Sequence, residues 1–254
     1  MARREVYYLK SPEATGNIHT TALEITPAVD RRFTPQAIRD ELQRAKRITD
    51  RVFQKPDSEI IETVISWFDT EPTDPLKADR LRKKTPYIEV VEFTNPTEHG
   101  LYREGTNFVA ISHRVASDRV LLSHAICHEL NHLGSFEIGK GGYDFGDRFY
   151  GFDAPVWLDE GLTEYANRRM VEQNMGEQLF GQIPTSYRNE IAIVAGIERI
   201  VGRVKLIIAT RTKQFGEIAD DLDTKIGEGF FGELLEGFDS AKRRLIEIGT
   251  GIDR

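Results

Sequence analysis

The stretch His128-Glu129-Leu130-Asn131-His132 constrains the fold more than any other part of the sequence. Side chains four residues apart share one face of an α-helix, so the two imidazoles can converge only if this segment is helical. The flanking residues predict that helix. Ser117 or Asp118 is placed to cap its start, Leu121, Leu122 and Ala125 lead into His128, and Gly134 is a natural stop. The side opposite the histidines is apolar, as expected of a helix held inside a domain.

Two imidazoles on consecutive turns can bind one metal ion. Glu129 stands one step around from His128, close enough to hold a water at the metal without being a ligand itself. That is the arrangement zinc hydrolysis needs: the metal acidifies the water and the carboxylate takes its proton as the water attacks a carbonyl. Glu129 is therefore the expected general base, with His128 and His132 as zinc ligands. The only cysteine is Cys127, which excludes an intramolecular disulfide and a multi-cysteine zinc site. It adjoins His128 but points away from the histidine face, and reads as a small buried residue.

A catalytic zinc needs a third protein ligand and an open position. The stretch Val156-Trp157-Leu158-Asp159-Glu160-Gly161-Leu162-Thr163-Glu164-Tyr165 carries two candidate carboxylates. Together with the histidine motif it resembles the gluzincin metallopeptidases, the thermolysin-like and aminopeptidase-like group, whose third ligand lies in a context such as W-L-N-E-G-F-A-E-Y. Trp157, Leu158, Glu160, Gly161, Glu164 and Tyr165 match; Asp159 and Leu162 replace the Asn and the Phe. The resemblance implies Glu160 as third zinc ligand, and Glu164 as the carboxylate that hydrogen-bonds a ligand histidine. It also implies a zincin-like α+β fold, with a small front sheet, an active-site helix and a mainly helical C-terminal lobe. The expected activity is hydrolysis of peptide bonds in peptides or proteins. The chain departs from the family by the 27 residues between His132 and Glu160. It also lacks G-x-M-E-N, the nearest stretch being Gly105-Thr106-Asn107, and this favours an endopeptidase. Tyr150 and Tyr187 are candidates for stabilising the oxyanion.

Other readings of the same residues exist. Asp147-Arg148-Phe149-Tyr150-Gly151 is similar to the D-x-x-Y-G of the aspzincin peptidases, with Asp147 as third ligand, although the preceding Gly-Thr of that motif is missing. Glu160 matches its family context at more positions. A metzincin would need a histidine where Ile138 stands. A non-catalytic zinc-binding regulator of the same fold is a further alternative; it would be betrayed by loss of Glu129, which is present. His124, one turn before His128, borders the cleft, bonds a carboxylate near the ligands, or is an ordinary backbone-bonded histidine. His113 has no evident partner.

The rest of the chain supplies the frame. Residues 18–25 read as a strand. Thr34-Pro35 starts a helix whose apolar face runs through Ile38, Leu42, Ala45, Ile48 and Val52. Residues 58–68 fit helix or strand. Residues 71–86, with three prolines and many charges, read as an exposed connection. Tyr87 to Phe93 and Phe108 to Ile111 predict strands, residues 139–155 a glycine- and aromatic-rich loop, and residues from 186 onward mainly helices. One zincin-like domain over 1–254 is expected, with a front lobe at 1–134 and a back lobe at 135–254. The net charge of -7 and the absence of an isolated Lys/Arg cluster argue against nucleic acid or anionic membrane as a partner. With no signal-peptide-like or membrane-spanning apolar run in the sequence, the cytoplasm is the simplest location.

Overall fold

The computed structural model describes residues 34–70, 77–103, 106–135, 156–176, 183, 187–212, 214–237 and 239–251. The expected strand at 18–25 and the loop at 139–155, including Asp147 and Tyr150, lie outside them.

Helix α1, Pro35–Arg44, begins as the sequence predicts: the Thr34 hydroxyl accepts the Ala37 N–H at 3.2 Å and proline takes the first position. It ends earlier than its apolar spacing implies. Lys46 adopts φ 54° and turns the chain, and Ile48 and Val52 belong to strand β1, Ile48–Val52, not to the helix. The apolar period simply continues across the turn, so periodicity alone does not register the break.

Residues Ser58–Trp67 form helix α2, started by the Asp57 carboxylate accepting the Glu59 N–H at 3.0 Å. The stretch expected to be an exposed connection instead holds helix α3, Lys77–Lys84, with Ala78 and Leu81 buried. Its many charges mask an apolar pair at i and i+3. Arg82 forks onto Asp69 in the preceding turn at 2.9 and 2.7 Å and fixes the helix against α2.

Strands β2 (Tyr87–Phe93), β3 (Gly100–Tyr102) and β4 (Phe108–Ser112) join β1 in a four-stranded mixed sheet of order β1-β2-β4-β3. The central β2 and β4 are parallel, and both outer strands are antiparallel to their neighbours. β4 is buried along its whole length because both faces are covered. Its alternate residues serve two cores: Phe108 and Ala110 meet Ile38 and Leu42 of α1, while Val109 and Ile111 meet the other face's cluster. On the α1 side, Glu89 of β2 is buried against the Arg39 guanidinium.

That second face carries helix α5, Arg119–Ser135, reached through the single turn α4, His113–Ala116. Asp118 is the cap, its carboxylate accepting the N–H groups of Val120 (2.8 Å) and Leu121 (3.1 Å). Ala125, Ile126, Leu130 and Leu133 are buried toward the sheet, α2 and α3. Each large aliphatic side chain so buried contributes roughly 1.5–3 kcal/mol.

Helix α6, Val156–Met175, belongs to two cores. Met170 and Val171 pack with α5, whereas Leu158 and Leu162 pack with the C-terminal helices. Those are α7 (Arg188–Val201), α8 (Arg203–Thr212), α9 (Gly216–Ile226), α10 (Phe230–Leu235) and α11 (Asp239–Thr250). The architecture is α+β: a small mixed sheet in the front part and helices elsewhere. Among the described residues no helix is long and apolar enough to cross a membrane.

Candidate metal centre

Helix α5 presents His124, His128 and His132 on successive turns, and α6 lies across them with Glu160, Glu164 and Asn167. His128 Nε2 is 3.2 Å from His132 Nε2 and 3.2 Å from Glu160 Oε2; His132 Nε2 is 3.6 Å from that same oxygen. His128, His132 and Glu160 therefore lie close enough to hold a metal ion. The donor set and spacing suit zinc: in a tetrahedral site with bonds of 2.0–2.1 Å, neighbouring ligand atoms are roughly 3.3 Å apart. Three protein ligands leave one position open.

The other side of His128 is fixed by Glu164. Nδ1–H donates to Glu164 Oε2 at 2.9 Å, which leaves the Nε2 lone pair for a metal. Glu164 is almost completely buried, and its other oxygen lies 3.0 Å from His124 Nε2. His132 Nδ1 faces Asp159 Oδ2 at 3.4 Å and the Thr163 hydroxyl at 3.5 Å. Gly161, between these acidic residues, is where α7 presses on α6: a Cβ there would stand 3.1 Å from the Glu190 carbonyl oxygen.

The electrostatics point to a cation. Burial works against charge on His128, but hydrogen bonds to Glu160 and Glu164 outweigh it and lift its pKa from 6.5 to about 10. Burial likewise opposes charge on His132, and Asp159 and Glu160 raise it to about 9. Burial alone would raise the two glutamates, yet their histidine partners hold Glu160 and Glu164 at about 2. The carboxylates thus draw positive charge onto the histidine pair, and a divalent cation can meet that demand by displacing the protons.

Glu129 is buried beside this triad. Burial raises its pKa, and His128 and His132 pull it back in part. Its carboxylate is held by the backbone N–H of Tyr102 on β3. In the β3–β4 pairing, His99 and Arg103 bond toward β4, so the alternate residues Gly100 and Tyr102 turn their backbone to the outer side of the strand, where Glu129 lies. Gly100 makes room: a Cβ at that position would collide with Glu129 Oε1. Tyr187, at the start of α7 with φ 57°, stacks its ring on His128 at 6.1 Å between centroids. Its phenol lies beside Glu160, and partial desolvation together with the charges of Glu160 and Glu129 raises its pKa.

The sequence-predicted residues His128, Glu129, His132, Glu160, Glu164 and Tyr187 are thus brought together, whereas Asp147 and Tyr150 fall outside the described residues. Cys127 is buried away from the triad, 3.5 Å from Met170 Sδ. His113 stacks on Phe53 at 4.7 Å. Sequence reasoning passes over Gly100, Tyr102, Asp159, Thr163 and Asn167. Asn167 carried a usable signal, since it lies three residues after Glu164 and seven after Glu160 on one helical face; Gly100 and Tyr102 carried none, because only the tertiary fold brings β3 to α5. No family model, curated protein or solved structure matches this chain.

Proposed function

We propose that the chain is a zinc-dependent metallopeptidase of zincin-like fold, in which Glu129 is the general base and His128, His132 and Glu160 hold the metal. The observation that carries this reading is the convergence of three ligand atoms from two helices beside a buried carboxylate that is not one of them. Zinc, when bound there, would polarise a scissile carbonyl and acidify a water. The chain's own groups do the rest. Glu129, oriented by the Tyr102 N–H and made more basic by burial, accepts the proton of the attacking water and passes it to the leaving amine. Tyr187 offers a phenol O–H to the carbonyl oxygen as it gains charge. Among the described residues β3 is the outermost strand of the sheet on the side next to Glu129, where an extended peptide could pair as an added strand. With no G-x-M-E-N in the chain to hold a free amino terminus, cleavage within a peptide or protein is the favoured mode.

The test is hydrolysis of unfolded protein and peptide mixtures by the zinc-loaded chain and by Glu129→Gln. The variant is expected to keep its zinc and lose turnover by about 10²–10⁴-fold. Undiminished hydrolysis in Glu129→Gln would overturn the assignment of Glu129.

A further inference from the structure

We propose that His124 and Asn167 form a buried brace that holds Glu164 in the orientation from which it presents His128 to a metal ion. The proposal rests on the metal centre described above and adds two positioning residues to it. Glu164 carries its carboxylate where water barely reaches, with 1% of the side chain exposed. Such a group is stable as an anion only if its oxygens are hydrogen-bonded. Oε1 has His124 Nε2 at 3.0 Å; Oε2 has His128 Nδ1 at 2.9 Å and Asn167 Nδ2 at 3.2 Å. The nearby Arg168 Nη1 is 3.9 Å from Oε1, too far for a hydrogen bond. Asn167 is fully buried, and its amide nitrogen also lies 3.3 Å from the His124 carbonyl oxygen, tying the carboxylate to the α5 backbone.

The geometry sets a division of labour on one helical face. His128 and His132 turn their Nε2 atoms toward Glu160, while His124, one turn earlier, turns its Nε2 to the far oxygen of Glu164. Rotation of the Glu164 carboxylate would break the bonds at both oxygens. Without His124, Oε1 would be a buried anionic oxygen lacking a hydrogen bond, and the carboxylate would swing toward Arg168 or take up a proton. Either change loosens the Nδ1–H···Oε2 bond, and with it the tautomer and ring angle that His128 needs as a ligand.

The experiment measures the Zn²⁺ dissociation constant of the full chain by chelator competition, for wild type, His124→Ala, His124→Gln and Asn167→Leu. His124→Ala and Asn167→Leu are expected to weaken zinc binding by about 10–100-fold, with His124→Gln recovering most of the loss because its amide can donate to Oε1. In the Co²⁺-loaded protein, His124→Ala should shift the visible d–d bands, which a change in global stability alone would leave in place. Where His124→Ala fails to fold, the zinc-loaded wild type decides: a long-range ¹H–¹⁵N spectrum should show Nε2–H on His124 and Nδ1–H on His128. A folded His124→Ala with wild-type zinc affinity, or an unprotonated Nε2 on His124 in wild type, overturns the brace while leaving the metal centre standing. A wild type that takes up no zinc overturns both.

Discussion

Two helix pairs in this molecule are packed tightly for opposite reasons. Between α5 and α6 the facing side chains are His124, His128 and His132 against Glu160, Glu164 and Asn167, joined by hydrogen bonds from histidine to carboxylate and from the Asn167 amide to Glu164. Between α7 and α11, the most extensive helix contact among the described residues, the helices meet almost backbone to backbone. A Cβ on Gly196 would collide with the Leu245 carbonyl oxygen, and one on Gly249 with that of Ala192. Two helical glycines cost about 1 kcal/mol each in propensity, offset by the dispersion contact that close approach allows. The first pair is built on buried charge, which in proteins is often replaced by apolar packing without loss of stability; the second is built on shape. The candidate metal site and the close glycine contact thus lie in different interfaces, joined through α6, which contributes to both cores.

Substitutions that strike one pair and spare the other separate these roles. The widest separation is expected between Glu129→Gln and Gly249→Ala. Burial raises the Glu129 pKa, so its ionised form disfavours the fold above pH 4.5, and Glu129→Gln should melt no lower than wild type at neutral pH while losing turnover. Gly249→Ala should cost about 2–3 kcal/mol, a fall in Tm of roughly 5–10 °C, with zinc affinity unchanged while the protein is folded. A Gly249→Ala protein with reduced zinc affinity would show that the interfaces are coupled. Next in size, Gly100→Ala should force the Glu129 carboxylate aside and lower turnover about 10-fold at constant zinc content.

A further effect is one of pH. In metal-free protein, the raised pKa values of His128 and His132 stabilise the fold fully below about pH 6.5, and this contribution is lost as the pH rises through about 9 and 10. The lowered values of Glu160 and Glu164 contribute above about 4.5 and are lost as the pH falls through about 2. Melting in EDTA should therefore weaken from pH 6 to pH 10, while the zinc-loaded protein, whose histidines are already neutral, should lack that decline. The Tm loss of Gly249→Ala should be the same across the range, since the nearest atoms its Cβ would meet are backbone atoms of Ala192 and Gly196.

The geometry of the candidate site was legible because it is local: His128 and His132 are set by a four-residue step, and Glu160 and Glu164 by another. The cap at Asp118 and the start at Thr34-Pro35 were legible for the same reason. The sequence misplaced Ile48 and Val52, whose spacing continues the α1 period through a turn at Lys46, and it hid α3, where Lys77 to Lys84 outnumber two apolar anchors. The partners of these side chains were harder still. Tyr102 reaches Glu129, and His124 reaches Glu164, only after β3 and α6 have been brought to α5 by contacts distant in the chain.

The central claim is tested most directly by elemental mass spectrometry of zinc per chain, on wild type and Glu160→Ala in parallel. The account predicts about one zinc per wild-type chain and little in the variant, because two histidines alone leave the site one ligand short. Wild type that holds no zinc even after reconstitution, or a Glu160→Ala protein that holds as much as wild type, would contradict it.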